Sequence, residues 1–496
     1  MSNQTRHIAI LGAGPAGLAL ALRLLRRDDL DARITVYEMK PYVGGIASSF
    51  ETDGLYFDQG SHRLHPATSP EIMNDIRALL GDDLLERPRH GRISLLGRFV
   101  KFPLSPVNLV THLPPSFIFG FGWDLLSKPI RKKHHPPTSF AEALQDGLGS
   151  TICHEFYFPY ARKLWGLPPE EISVIQAQKR VSADSIGKLI RKVLSLVPGF
   201  KTQGAGIFYY PRKGYGQISD AVAAEVRRLG GEIRLSTRIN QIERHDDGSF
   251  TLHTTPMAGG DHEEDGTTTP IAPARETAGE SLDADFVFAT IPVTVLAKLL
   301  HPAPPADVME ATGKLGYRAM VLHYLVLETD RFTEYDAHYF PGLEVPFSRT
   351  FENKNYYNGS EPKSRTGIGF ELPCALGDEL WNASDEELTR RVCEGMTRVG
   401  LPIDVAIKRS FSRRIPQVYP TYQQGFEKHF ELVDTHLTRL PNLVPLGRQA
   451  LFAHDNTHHT MEMAYRAGDC LAGDLSWDDR AWARHREAFE QHVVVD

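Results

Sequence analysis

Gly12, Gly14 and Gly17 stand in a Gly-x-Gly-x-x-Gly loop, and Glu38 follows 21 residues after the last of them. These residue types at this spacing suit the pyrophosphate and ribose of a dinucleotide. Gly12 permits a tight turn, Gly14 lets backbone approach a pyrophosphate, and Gly17 lets a helix pack closely on a strand. Pro15 and Ala16 complete the loop. The helix that follows offers free N–H groups and a partial positive charge to phosphate. A carboxylate at Glu38 can accept hydrogen bonds from ribose hydroxyls. A second pair of chemistry-bearing residues, His458-His459, suggests a metal to the eye. Adjacent residues point to different sides of a helix start, and no third ligand is evident nearby, so no metal is expected.

The elements around the loop have the required order. Residues 7–11 read as a short buried strand, 18–27 as an Ala- and Leu-rich helix, and 33–37 as a second strand ending at Glu38. A lone glycine motif is weak evidence, but here strand, loop, helix, strand and acid all fall in place. The apolar stretch 8–25 is no membrane span, because Gly12, Gly14, Pro15 and Gly17 break it and Arg23 sits inside it. No signal peptide is visible. With 496 residues, two to four domains are expected. The 41% hydrophobic and 24% charged content is that of a soluble protein, and a net charge of −7 argues against a nucleic-acid partner. Cys153, Cys374, Cys393 and Cys470 form no C-x-x-C pair, which fits a reducing cytoplasm.

Two further strings choose among dinucleotides. Met39-Lys40-Pro41-Tyr42-Val43-Gly44-Gly45-Ile46-Ala47 follows Glu38, and Phe57-Asp58-Gln59-Gly60-Ser61-His62-Arg63 comes next. Together they resemble the flavoprotein clan of amine oxidases, protoporphyrinogen oxidase, phytoene desaturases and UDP-galactopyranose mutase. The resemblance implies FAD. It implies that Met39, Lys40 and the segment Gly44, Gly45, Ile46 and Ala47 run beside the pyrophosphate and ribityl chain. Gly60, Ser61, His62 and Arg63 would reach the isoalloxazine, and Ile239 the adenine end. Gly447, Arg448, Thr460 and Met461 would complete the contacts, with the N-terminus of a helix over about 459–471 facing the flavin.

The clan weaves its FAD domain from separate segments, and this chain shows the same weave. An α/β, Rossmann-like FAD-binding domain is expected from 1–75, 206–300 and 425–496. A helical insertion is expected over 76–205, and a mixed β-sheet substrate domain over 301–424. Residues 255–281 lack periodicity and read as a loop. Basic residues 131–135 follow apolar residues 117–123. That pattern reads as a packed helix with a solvated end, so membrane contact is not expected.

The middle of the chain resembles the mutase branch. Tyr160 to Gly166, then Arg180, is similar to the segment carrying a substrate-facing tryptophan, here Trp165, and a diphosphate-binding arginine. Residues 346–354 around Arg349 and 414–422 with Tyr419 and Tyr422 resemble two more mutase strings. His62 stands where the mutases place a histidine against the flavin. The departures are His454 and Asn456, where the mutase pattern has a tyrosine and an aspartate. The candidate catalytic residues are therefore His62, Arg349 and His454. The candidate substrate contacts are Trp165, Arg180, Arg349, Tyr419, Tyr422, His454 and Asn456. Three functions are weighed: an FAD oxidoreductase taking hydride at flavin N5 from a small, sugar- or nucleotide-sugar-like substrate, a non-redox mutase using reduced FAD as nucleophile, and a flavin carrier without catalysis. The first is preferred, because redox chemistry is the commoner use of the clan. A homo-oligomer is open.

Overall fold

The computed structural model describes residues 5–103, 106–128, 136–180, 206–257 and 279–494. The basic run 131–135 and most of the loop 255–281 lie outside them, as does the side chain of Arg180, which ends the helix Val174–Arg180.

Ile8, Ala9, Ile10 and Leu11 are at most 1% exposed. Such a continuous apolar run needs a sheet covered on both faces. The strand Arg6–Leu11 lies at the centre of one. Five strands are ordered Leu443–Pro445, Phe286–Ala289, Arg6–Leu11, Ala32–Tyr37 and Glu232–Arg234, all parallel. They come from both ends and the middle of the chain, so the α/β, Rossmann-like weave is present. Ile8 and Ile10 join the core on one face, Ala9 and Leu11 the core on the other, as the period of two in a strand requires. Helix Pro15–Leu25 begins with proline at its first turn, where no N–H is missed. It packs on helices Gln217–Arg228 and Thr457–Cys470.

A seven-stranded sheet covers the opposite side of the molecule. Its order is Ile407–Pro420, Tyr317–Leu327, Thr366–Cys374, Arg349–Phe351, Ala337–Tyr339, Gly91–Leu95 and Arg98–Phe102. Tyr317–Leu327 shows why the sheet sits where it does. Met320, Leu322, Tyr324 and Val326 join the core of the parallel-sheet side. Ala319, Val321, Leu325 and Leu327 face outward, onto Leu388, Val392 and Met396 of helix Asp385–Arg398. Both faces are thus apolar.

Segment 76–205 differs from the helical expectation. It contains the strands Leu84–Pro88, Gly91–Leu95 and Arg98–Phe102. Leu96 and Gly97 both have positive φ, at 54° and 72°, the two-residue hairpin turn that suits twisted strands. Gly91–Leu95 pairs in parallel with Ala337–Tyr339. The short alternation was masked by the Arg, Leu and Pro around it. The rest of the segment is helical where described, with Phe140–Leu148, Phe158–Trp165 and Val174–Arg180 around their own apolar cluster. Among the described residues no helix is long and apolar enough to cross a membrane.

Candidate active site

The glycine loop leaves the central strand and turns directly into the helix Pro15–Leu25. Gly12 has φ +103°, and a Cβ there would meet Thr290 Oγ1 at 2.5 Å. A Cβ on Gly17 would lie 2.0 Å from the Gly12 carbonyl oxygen, so helix and strand touch backbone to backbone. Gly14 is different: a Cβ would meet nothing within 4 Å. The space above Gly14 is the groove that a pyrophosphate needs, and the helix N-terminus beside it has no side-chain cap. Gly44 N–H donates to Ala13 O at 2.8 Å, and a Cβ on Gly45 would come 3.5 Å from Gly14 Cα. Ile46 and Ala47 continue this second wall, with Ala47 buried. Gly447, at φ +80°, packs against Ala16, so the C-terminal segment closes the loop from above.

Glu38 stands at the end of the second strand. Its Oε2 accepts from Ala13 N–H at 3.0 Å and its Oε1 from Lys40 N–H at 3.0 Å. Met39 is exposed beside it. Thr237 N–H donates to Glu38 O at 2.8 Å, which brings the strand carrying Ile239 to the same rim. An open groove, an uncapped helix start, a carboxylate and the Gly44-Gly45 wall form one cradle. These residues fit a dinucleotide.

His62 is packed against this cradle. Its Nε2 lies 2.9 Å from the carbonyl oxygens of Ile46 and Gln59, so Nε2 carries the proton. Burial lowers its pKa, more than the nearby Asp58 charge raises it, and the ring is neutral at physiological pH. It stacks on Tyr215 at 5.3 Å. Ser61 N–H donates to Glu371 Oε1 at 2.8 Å, and Glu371 binds Arg349 through two bonds, Nε–Oε2 at 3.0 Å and Nη2–Oε1 at 2.8 Å. One buried carboxylate thus joins the loop Gly60 to Arg63 to the seven-stranded sheet. Burial works against the Arg349 charge, but Glu371 together with the phenols of Tyr339, Tyr419 and Tyr160 outweighs it and holds the guanidinium protonated. Arg63 makes a parallel link, donating to Asp336 at 3.2 Å, Tyr339 OH at 3.0 Å and Tyr356 OH at 3.1 Å.

Arg349 also senses the phenols of Tyr339, Tyr419 and Tyr160. Tyr160 comes from the helical unit, Tyr339 and Tyr419 from the sheet. Tyr419 stacks on the His454 ring at 5.9 Å and lies under the Arg448 guanidinium at 5.1 Å. His454 is buried, with Nε2 2.8 Å from Pro420 O. His62, Arg349, Tyr419 and His454 are therefore brought to one junction of the three units.

Other expected site residues have structural partners. Trp165 is buried among Phe140, Leu144 and Ile172 and meets the Phe140 ring edge-on at 5.3 Å. Tyr422 is buried, and its OH donates to Phe452 O at 2.9 Å. Arg448 donates to Asp455 O and Val418 O at 3.1 and 2.8 Å. Asn456 caps the helix Thr457–Cys470, and its N–H meets His459 Nδ1 at 3.3 Å. Thr460 bonds back to Thr457 O in the same helix, and Met461 fills the core beneath. His459 gains the neighbours that the sequence did not reveal. Asp455 Oδ1 lies 3.2 Å from its Nδ1 and 3.0 Å from His492 Nδ1. Burial pushes the Asp455 carboxyl up, but hydrogen bonds from both histidines outweigh that and hold it at about 2.

Sequence reasoning missed Glu371, Asp58 and Lys163 as organisers. Glu371 is the single acid in the apolar strand Thr366–Cys374, which is the signal that could have found it. Asp58 is fully buried and accepts from Ser49 Oγ, Tyr210 OH and Tyr215 N–H at 2.5, 2.6 and 2.9 Å. Lys163, buried beside Tyr160, donates to Phe340 O and Phe347 O at 2.7 and 3.1 Å. Burial lowers its pKa to about 8.

Four outcomes follow from this geometry. Gly17→Ala should cost about 3 kcal/mol or more of stability in urea unfolding, because backbone cannot yield to its Cβ. Gly14→Val should leave the unfolding midpoint almost unchanged yet weaken cofactor retention at least about tenfold, since its side chain fills only the groove. Glu371→Ala should destabilise by about 3–5 kcal/mol, the cost of an uncompensated buried guanidinium, and Glu371→Gln by less. The Asp455 carboxyl has its pKa lowered by folding, so its contribution is complete above the unfolded value near 4 and declines as pH falls towards 2. Asp455→Asn should therefore cost about 2 kcal/mol at pH 6, and the difference from wild type should narrow between pH 4 and pH 2. Unfolding curves across that range check it.

Residues 15–475 match the family described as flavin containing amine oxidoreductase. Protoporphyrinogen oxidase 1 of the Spinacia oleracea chloroplast is 23% identical over 483 residues, covering 90% of this chain and 79% of that protein. The 15-cis-phytoene desaturase of Arabidopsis thaliana is 24% identical over 328 residues, 60% of this chain and 49% of that one. Among solved structures, reduced UDP-galactopyranose mutase superposes with a TM-score of 0.76 at 20% identity, covering 99% of this chain and 100% of that one. Putrescine oxidase bound to putrescine gives 0.62 at 15% identity, with 94% and 98% covered. At these identities the structural likeness carries the fold. The family match spans nearly the whole chain, taking in Gly17, Glu38 and Gly44-Gly45, and the chain belongs to the flavin containing amine oxidoreductases, with FAD as its cofactor.

Proposed function

We propose that this enzyme oxidises a small, uncharged, hydroxyl- or amine-bearing molecule of sugar-like size, removing hydride from a carbon beside oxygen or nitrogen. The observation that carries this reading is the pairing of Arg349 with Glu371 through two hydrogen bonds. The pair cancels the charge that a diphosphate ligand would need, and the phenols of Tyr160, Tyr339 and Tyr419 lie near enough to act on it. Phenol hydroxyls suit neutral donors and acceptors on substrate.

FAD, when bound, supplies the hydride acceptor at its N5. Segments 1–75, 206–300 and 425–496 would hold it, with Gly12 to Gly17 and Gly44-Gly45 at the pyrophosphate and Glu38 at the ribose. Gly60 to Arg63 would lie at the flavin ring, Ile239 at the adenine end, and Gly447, Arg448, Thr460 and Met461 at the other side. His62 stays neutral and keeps its proton on Nε2, so it adds no charge beside the ring. Tyr419 bounds the substrate from the sheet side and His454 from the C-terminal segment, and the helical unit with Trp165 shuts out water behind Tyr160. The units 76–205 and 301–424 form the substrate walls.

A second reading, isomerisation of a nucleotide sugar without net redox change, is supported by the full-length likeness to the mutase fold. His454 and Asn456 depart from that branch, and the Arg349–Glu371 pair weighs against it. Anaerobic mixing of the yellow holoenzyme with sugars, amino sugars and sugar nucleotides separates the two. Substrate-dependent bleaching of the visible flavin band is expected. Isomerisation seen only after dithionite reduction, with no bleaching by any candidate, would sink the oxidoreductase reading.

A further inference from the structure

Residues 106–128 cover one end of the helical unit with two helices, Pro106–His112 and Pro115–Ser127. Their inner side is apolar: Leu113 and Phe117 are buried and Leu109, Ile118 and Phe121 pack against the same core. Their outer side is apolar as well. Val107 and Val110 are 60% and 62% exposed, and Phe119, Trp123 and Leu126 are 78%, 69% and 78% exposed. Five of the 11 large apolar side chains exposed among the described residues thus fall within 107–126. Phe119, Trp123 and Leu126 follow at i, i+4 and i+7, which makes one continuous stripe. A surface helix ordinarily turns polar residues outward, whereas one that is apolar all round belongs in protein interior or hydrocarbon.

The charges fit a particular covering. Asp124 is the sole acid between 107 and 128. It is buried and turned inward, where Oδ2 accepts from Thr151 N–H at 2.7 Å. The outer face therefore presents no anion. Exposed Lys101 and His112 flank it, and Lys101 is fixed to the first helix by its N–H bond to Asn108 at 2.7 Å.

We propose that this double-helix cap docks on the surface of a lipid bilayer bearing anionic headgroups, lying in the interface without spanning it. The Phe119, Trp123 and Leu126 stripe enters the acyl boundary. The Trp123 ring sits at headgroup depth, and Lys101 and His112 meet phosphates. This differs from the packed helix with a solvated end that the sequence implies: the helix is packed, but its far side is oily.

Flotation of the holoenzyme with vesicles tests it. Wild type is expected to rise with phosphatidylcholine vesicles containing phosphatidylglycerol, and less with phosphatidylcholine alone. Phe119→Ser/Trp123→Ser/Leu126→Ser should lose at least about tenfold in vesicle affinity, with flavin absorbance and thermal transition unchanged. Should the triple variant misfold, Leu126→Asp alone should still weaken binding several-fold through headgroup repulsion. No flotation of wild type with either vesicle, or equal binding by the variants, would overturn the proposal. So would sedimentation equilibrium in which wild type is a dimer and the folded variant a monomer, because a second copy would then cover the stripe.

Discussion

The buried carboxylate of Glu371 is the constraint on which the site depends. It accepts two hydrogen bonds from Arg349 within the seven-stranded sheet and a third from the backbone of Ser61 in the loop beside the dinucleotide cradle. A lone carboxylate or guanidinium in this interior would be strongly disfavoured, so each holds the other in place. The consequence is geometric. The loop from Gly60 to Arg63 cannot move away from the sheet without leaving a buried charge unpaired. Arg63, bound to Asp336, Tyr339 and Tyr356, repeats the connection one turn of chain later.

On the cofactor side the same economy of space operates through backbone rather than charge. Gly12 and Gly17 are glycine because neighbouring atoms already occupy the place of a side chain. Gly14 is glycine although its surroundings are open, which marks the space itself as the useful feature. Gly44 and Gly447 come from distant parts of the sequence and close on the same loop. The electrostatics are quiet by design of burial: His62 is held neutral, and the Arg349 charge is matched.

The helical unit serves two surfaces. Phe158–Trp165 faces the junction through Tyr160 and anchors the sheet loops through Lys163. The neighbouring helix Pro115–Ser127 turns Phe119, Trp123 and Leu126 away from the protein. Packing between Gly120 and Thr151 and the bond from Thr151 N–H to Asp124 tie this outer helix to the unit.

The dinucleotide cradle was legible in the sequence because its constraints are local: glycine spacing, helix start, strand and acid lie within residues 6–38. Gly44-Gly45, which the structure sets against the glycine loop, stands in a string just beyond it. The weave of segments was legible too, through strands that read as short apolar runs. Tertiary structure alone decided what the scattered polar residues do. Glu371 and Arg349 are 22 residues apart on adjacent strands, and their pairing depends on register. His492 meets Asp455 only because the last helix folds back, whereas His459 reaches it from four residues along the chain. Trp165 and Tyr422 read as ligand contacts from their strings, but packing buried one in a helical core and bonded the other to Phe452. The hairpin of Gly91–Leu95 and Arg98–Phe102 was hidden because its strands gain their identity from partners some 240 residues away. Likewise the sequence shows that residues 117–126 are apolar, but only the packed structure decides which of them face inward. Local geometry is encoded locally, whereas charge pairing, burial and exposure are properties of the assembled chain.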